Sequence, residues 1–412
     1  MRILVITPQY APDYGPSAPI FTDLCEDLHK IGHDVTVITA FPHYGRNNVP
    51  KEYDGKIYAE TLLNGVRVIR TYVFLSDRAS IIKRLIYHLS YNILAAIKVY
   101  KLKTCDLVLA DAPFLWSGIP LFVAHSLKKK PFIYIVHDIY PDIAVRLGMI
   151  TNKRVELVVK SIENYFYKKS AYISVLSKGF KDNLVRKGVT PGKIKIIPVC
   201  VDTRFILPLD KKNTFRTRYG FLDKFVVMYA GNMGLSQDLE LLIQTAYLLK
   251  YKKEIIFVLV GDGAEKPKLG KMIKDLYLEN VFFVPFQDRE ELPYILTAAD
   301  IHFVSLKKDI ICESVPSKVY SIMASGRPIL AVVNEGTETY ELIKNARCGW
   351  CISSYSANDI AGLINEQCLN STTCQIFGDN GRAFVIEHFS RHIMACKYNS
   401  IISSLLKGNF ST

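Results

Sequence analysis

Residues 313 to 330 read Glu313-Ser-Val-Pro-Ser-Lys318-Val-Tyr-Ser-Ile-Met-Ala-Ser-Gly326-Arg-Pro-Ile-Leu330, an order that spells loop, short helix and buried strand around an anion. Pro316 suits the first turn of a helix, where a missing N–H costs nothing, and Gly326 followed by Pro328 marks the end of that helix. The helix then starts near Pro316 and Ser317. Its first N–H groups lack internal partners and carry partial positive charge, so a phosphate is stabilised there, the more so with the Ser317 hydroxyl and the Lys318 ammonium beside it. The stretch predicts a diphosphate seat, although an ordinary capped helix on an α/β domain would have the same look. Glu313, just upstream, makes little sense as a phosphate ligand. It could accept hydrogen bonds from sugar hydroxyls or stabilise a positive anomeric centre, or simply pair with Lys318.

Other chemistry-bearing residues follow apolar runs. His137-Asp138-Ile-Tyr-Pro141-Asp142 comes after Phe132–Val136, where an imidazole can donate to substrate hydroxyls or share a proton near the reacting centre, or be a strand-end histidine satisfied by backbone. Pro8–Ser17 contains Gly15, a position where backbone can approach a ligand closely. Gly231-Asn232-Met-Gly234 and Gly261-Asp262-Gly263 also stand between strand and helix. None of these completes a dinucleotide fingerprint, and there is no Walker-type lysine motif, which disfavours a nicotinamide enzyme.

The elements that would carry these loops alternate. Short β-rich runs at Ile3–Thr7, Val35–Ala40, Leu107–Ala110, Phe132–Val136, Tyr172–Val175 and Ile194–Val199 are separated by helical stretches, and the scheme repeats at Phe225–Ala230, Ile255–Val260, Val281–Val284, Ile301–Leu306, Ile329–Val333 and Trp350–Ile352. Such alternation means an α/β fold of two doubly wound Rossmann-like domains, each a parallel sheet between helices, with ligands beyond the carboxyl ends of the strands in a shared central cleft. The boundary is expected in Asp202–Asp223, giving domains of 1–205 and 206–385, with 386–412 as a closing helix that packs back on the first.

At 412 residues, 49% hydrophobic and 22% charged, the chain can fill two cores, and no stretch has the composition of disorder. No signal peptide or membrane span is read in it, and nine widely spread cysteines suit a reducing compartment, so a cytoplasmic protein is expected. Cys348-Gly-Trp-Cys351 lacks the second pair a zinc site needs, and no metal is expected. The charge is lopsided: residues 1–205 hold 29 Lys and Arg against 17 Asp and Glu, while residues 206–412 hold 23 against 22. Its densest part, residues 78–105, has no acid at all and sets Lys83, Arg84, Lys98 and Lys101 among Ile82, Ile86, Leu89, Ile93, Ile97 and Tyr100. That pattern predicts a basic amphipathic helix for an anionic membrane surface, or a core helix with a solvated basic face. No nucleic-acid recognition module accompanies the charge.

Taken in order, Ile3–Gly15, His33-Asp-Val-Thr-Val, Tyr229-Ala-Gly-Asn-Met-Gly, Val260-Gly-Asp-Gly-Ala264, Val284-Pro285-Phe286, Leu292–Asp300, Glu313–Pro328 and Phe389-Ser390 resemble, over nearly the full length, a family-four retaining glycosyltransferase of the GT-B fold. The resemblance implies an amino-terminal acceptor domain and a carboxy-terminal nucleotide-sugar domain. It sets Gly15 against the diphosphate and acceptor, His137 beside the donor sugar, Val284–Phe286 along the nucleobase and Glu313 on the sugar. Gly231 and Gly261 fall in donor loops. Three departures stand out: Asn232 and about Gln237 replace the family's Arg and Lys on the diphosphate, and Ser321 replaces a second acid. Lys318 and Arg327, with the helix terminus, are the natural substitutes for the lost charge, and Ser321 is a partial one for the acid.

This variant is similar to the subgroup of fucosamine-type amino-sugar transferases of bacterial surface polysaccharide assembly. It implies a UDP-linked N-acetyl amino-deoxyhexose donor, a polyprenyl-diphosphate-linked saccharide acceptor in O-antigen or capsule synthesis, and no cofactor or metal beyond the donor. The protein would sit peripherally on the inner face of the cell membrane. Acceptor choice would lie in Asp13, Tyr14, Ser17, His43 and Tyr44. A nucleotide-sugar 2-epimerase and a non-catalytic transferase-like subunit remain as other readings of the same fold.

Overall fold

Apolar runs without alternation, such as Phe132-Ile-Tyr-Ile-Val136 and Ile255-Ile-Phe-Val-Leu-Val260, are buried at every position in the computed structural model, as expected of parallel strands covered by helices on both faces. The structure describes residues 1–13, 15–44, 49–75, 81–146, 149–308, 315–369 and 372–407. The chain divides into two units, Met1–Val199 with Met394–Thr412, and Cys200–Ile393. These divisions lie at 199/200 and 393/394, against the 205/206 and 385/386 drawn from sequence.

The first unit holds an eight-stranded sheet: β1 (Arg2–Ile6), β2 (Asp34–Ala40), β3 (Tyr58–Leu63), β4 (Val66–Thr71), β5 (Leu107–Asp111), β6 (Phe132–Val136), β7 (Tyr172–Val175) and β8 (Ile194–Ile196). Their spatial order is β3-β4-β2-β1-β5-β6-β7-β8. Every neighbouring pair is parallel except β3 with β4. That antiparallel hairpin is absent from the sequence reading, because β3 is an edge strand with Glu60 and Leu62 exposed and no buried run to betray it. Its signal was the turn Asn64-Gly65, both residues at positive φ, the pair a tight hairpin asks for. Carboxy-terminal residues return to this unit, where Tyr398 Oη meets Ser174 Oγ at 2.9 Å and Asn399 Oδ1 meets His33 Nε2 at 2.9 Å.

The second unit holds a six-stranded, wholly parallel sheet of β9 (Phe225–Ala230), β10 (Ile255–Val260), β11 (Val281–Val284), β12 (Ile301–Ser305), β13 (Ile329–Val332) and β14 (Gly349–Ile352), ordered β11-β10-β9-β12-β13-β14. In each sheet the winding reverses once, between β1 and β5 and between β9 and β12. A crevice opens beyond the carboxyl ends of the strands at such a reversal. Both of the loops singled out above, Pro8–Ser17 after β1 and Gly231–Gly234 after β9, leave their sheets at these points.

Candidate active site

In the second unit the helix Lys318–Ala324 starts where expected, with Ser317 at its cap and exposed. Lys318 turns its ammonium toward the end of β9. Its Nζ donates to Tyr229 Oη at 2.8 Å and Gln237 Oε1 at 3.1 Å and lies 4.0 Å from the Tyr229 ring centroid. Among the described residues no carboxylate pairs with it, and burial alone pulls its pKa down to about 7. A half-buried cation held only by neutral groups is electrostatically incomplete, and an incoming anion would restore its charge.

Glycines keep the surroundings bare. A Cβ on Gly231, at φ +140°, would stand 3.3 Å from Lys318 Nζ, and one on Gly261, at φ +131°, would overlap the Gly231 carbonyl. The two loops are laced together by Gly231 N–H to Val260 O at 2.9 Å and Met233 N–H to Asp262 O at 2.8 Å. Tyr229 Oη donates to Asn232 O at 2.5 Å, which fixes the phenol that receives Lys318. Asn232 itself is exposed, Ser321 is half-buried on the helix, and Phe286, past the end of β11, is 81% exposed. An exposed aromatic face beyond the carboxyl end of a strand in the same sheet suits a nucleobase.

In the first unit, His137 follows β6 and its side chain is 16% exposed. Its Nδ1 stands 3.9 Å from Asp111 Oδ1, and its ring meets Phe21 edge-on at 5.8 Å. Burial lowers its pKa to about 4, so the imidazole is neutral at pH 7. Asp111 ends β5, fully buried. Its Oδ2 accepts from Thr7 Oγ1 at 3.0 Å, its Oδ1 has no hydrogen-bond partner, and burial pushes its carboxyl well above the usual range. A Cβ on Gly15 would overlap the terminal amide of Gln9, whose Oε1 accepts from Ser17 Oγ at 3.0 Å.

Several expectations need correction. Arg327 is no phosphate ligand: it lies beyond the far end of its helix, at the amino edge of the sheet, donating to Thr297 O at 2.9 Å and Leu209 O at 3.0 Å. Val284 is core, with 1% exposure and its carbonyl taken by Gly261 N–H at 2.9 Å, so of that segment only Phe286 offers a side chain. Asp13, His43 and Ser17 are buried rather than turned to an acceptor. Asp13 accepts from the backbone N–H of His43 at 3.3 Å and of Tyr44 at 3.0 Å, and His43 bonds Phe41 O at 2.8 Å and Tyr87 Oη at 2.6 Å, so the pair clamps two loops together. Tyr44, half-buried, is the side chain the clamp leaves partly open. Glu313 and Tyr14 lie outside the described residues, as does the side chain of Arg84. Lys83 and Lys101 are exposed, and Lys98 covers the Tyr58 ring at 4.1 Å.

Sequence reasoning missed Tyr229, Asp111, Thr7 and Gln9. Asp111 carried a signal: an acid closing the apolar run Leu107-Val-Leu-Ala stands where loops leave a parallel sheet. Among the described residues no three His, Cys, Asp or Glu side chains gather as metal ligands, and no helix is long and apolar enough to cross a membrane.

Two family profiles match in tandem: glycosyltransferase family 4 over residues 20–205 and glycosyl transferases group 1 over residues 211–384. The colanic acid biosynthesis glycosyl transferase WcaI of Escherichia coli K12 is 25% identical over 83% of this chain and 86% of its own. The glycosyltransferase WbjE of Pseudomonas aeruginosa is 24% identical over 73% and 75%; both of those assignments are themselves provisional. Among solved structures, Anabaena HepE in complex with UDP superposes with a TM-score of 0.70 at 17% identity, covering 98% of this chain and 100% of that one. The sucrose-phosphate synthase of Thermosynechococcus elongatus gives 0.71 at 16% identity, with 99% of each covered. With one profile on each Rossmann-like unit and this fold throughout, the chain belongs to the GT-B glycosyltransferases of group 1.

Proposed function

We propose that the protein transfers an N-acetyl amino-deoxyhexose, with retention, from a UDP-sugar to a polyprenyl-diphosphate-linked saccharide in the building of a bacterial surface polysaccharide, O-antigen or capsule. The observation that carries this reading is the Lys318 ammonium, half-buried at the β9/β12 reversal and without an acid partner among the described residues. A nucleoside diphosphate supplies the missing negative charge, with Ser317 and the first N–H groups of the same helix beside it. The UDP-bound Anabaena relative and the provisional colanic acid role of WcaI agree in kind with a UDP-sugar donor and a glycan acceptor.

In the proposed step the anomeric C–O bond to the diphosphate breaks and a bond to the acceptor oxygen forms on the same face. The acceptor's proton leaves on the departing diphosphate oxygen. Lys318 stabilises the charge growing on that diphosphate, the part a metal plays in other transferases, and Glu313 supports the positive anomeric centre. Neutral His137, propped near Asp111, hydrogen-bonds a hydroxyl of the donor sugar without competing for the proton. The basic first unit, with Lys83, Lys98 and Lys101, would rest on the anionic inner face of the membrane, where the lipid-linked acceptor is found. The fucosamine-type identity belongs to the same proposal.

The test is UDP release. Purified protein, given UDP-N-acetylfucosamine and a lipid-linked saccharide, should free UDP only when both are present. UDP-sugar conversion without acceptor would point to an epimerase, and no reaction with any donor would point to a non-catalytic subunit.

A further inference from the structure

We propose that a groove on the first unit, formed by the helices Ile81–Lys101, Phe114–Phe122 and Lys153–Lys169, holds the hydrocarbon chain of a lipid; this rests on the lipid-linked acceptor of the preceding reading and says where its chain lodges. The Ile81–Lys101 helix has two apolar faces. Tyr91, Ala95 and Val99 are buried in the core, whereas Ile86, Leu89, Ile93, Ile97 and Tyr100, three or four residues apart, are all exposed. One stripe suffices to pack a helix on its domain. The outer stripe therefore needs another explanation, and a lone apolar residue is unremarkable where a continuous band is not.

Where that stripe meets the second helix a cavity of about 310 Å³ opens, walled by Leu89, Leu115, Ile119, Phe122, Ile162 and Phe166. Gly118 forms its floor, since a Cβ there would come within 3.2 Å of Phe114 Cβ and 3.5 Å of Phe166 Cε2. On the third helix, exposed Val155 and Val158 extend the wall of Ile162 by two turns. Asn92 is the amide among the lining residues, and it is fully engaged. Its Nδ2 donates to His88 O at 2.9 Å and Leu115 O at 2.8 Å, and its Oδ1 accepts from Ile119 N at 3.2 Å.

These features choose the occupant. A peptide or nucleotide lying along apolar walls would lose the hydration of its polar groups without replacement, whereas a hydrocarbon chain gains from every buried methylene. The charge near the groove agrees: the Ile81–Lys101 helix contains no acid, Lys83, which precedes the lining residues His88 and Leu89 on it, is exposed, and Lys153 and Arg154 are exposed at the start of the third helix. Anionic headgroups meet such a rim while a chain enters the slot.

The experiment is photo-crosslinking of the full chain with a diazirine-bearing farnesyl phosphate, without donor, followed by peptide mapping. Label is expected within residues 86–97, 114–122 and 155–166. Ile119→Trp, which fills the mouth, and Phe122→Asp, which puts a charge on the rim, should each lower labelling about tenfold, the loss of roughly two methylenes of burial. Excess inorganic phosphate should leave it in place. Label elsewhere, unchanged label in both variants, or displacement by phosphate alone would overturn the groove. So would a dimer in solution that Ile119→Trp disperses, since the occupant would then be a second copy. Because labelling needs no turnover, a labelled groove in a protein that never releases UDP would sink the transferase reading and leave this one standing.

Discussion

The two winding reversals are built from the same strand-loop-helix plan and filled in opposite ways. After β9 the loops are cleared by Gly231 and Gly261, and the space holds the Lys318 ammonium with no counter-charge among the described residues. After β1 and β5 the space is packed: Gln9 occupies the hollow over Gly15, and a fully buried carboxyl stands near an imidazole that burial keeps neutral. One edge is prepared to receive charge and the other to handle hydroxyls without adding any. The contrast teaches that a shared fold assigns where chemistry occurs, while burial and partners assign which kind.

Removing the cation should break the contrast most severely. Lys318→Ala is expected to weaken UDP binding about a hundredfold or more, the order of a partly buried ion pair losing one member, and calorimetric titration would reveal a wrong assignment as a change below threefold. At the other edge, His137→Ala should lower kcat about a hundredfold while UDP affinity stays within about twofold. If both mutants lose UDP equally, the division of labour collapses.

A pH series sharpens the same point. The Lys318 pKa in the free protein, about 7, lies below its ordinary 10.5, and bound UDP would raise it again, so binding takes up a proton whenever the solution is above that value. Affinity should therefore fall about tenfold between about pH 7.5 and about pH 9. Calorimetry in buffers of different ionisation heat would detect the uptake, and a flat profile would mean that Lys318 is charged throughout. The smallest effect is expected at Arg327. Arg327→Gln should leave UDP affinity within about twofold but lower stability to urea by about 1 to 3 kcal/mol, because Thr297 and Leu209 carbonyls lose their donors.

The strands were legible because parallel strands buried on both faces are continuous apolar runs, and Phe132–Val136 and Ile255–Val260 needed no other clue. The β3–β4 hairpin was not, since an exposed edge strand leaves no such run and only Asn64-Gly65 marked it. Within the site, Lys318 could be found from its neighbours Pro316 and Gly326, whose constraints are local. Arg327 could not be excluded in the same way. Nine residues along from Lys318 it looks equally available, but the helix carries it to the opposite edge, where backbone carbonyls claim it. Asp13 and His43 misled for a related reason: polar loop residues resemble ligands until their partners, each other's loops, are known.

The polypeptide passes between the units twice, near residues 199 and 393, and just inside the second unit the two passages are stitched side by side. Val201 N–H donates to Phe389 O at 3.0 Å, Val201 bridges Ser390, and Arg391 reaches Asp202 at 3.2 Å. A protease that nicks the backbone at only one of these passages would leave a single particle on a sizing column, because Tyr398 and Asn399 of the carboxy-terminal helix stay bound to Ser174 and His33 of the first unit, and two fragments would part only on a denaturing gel.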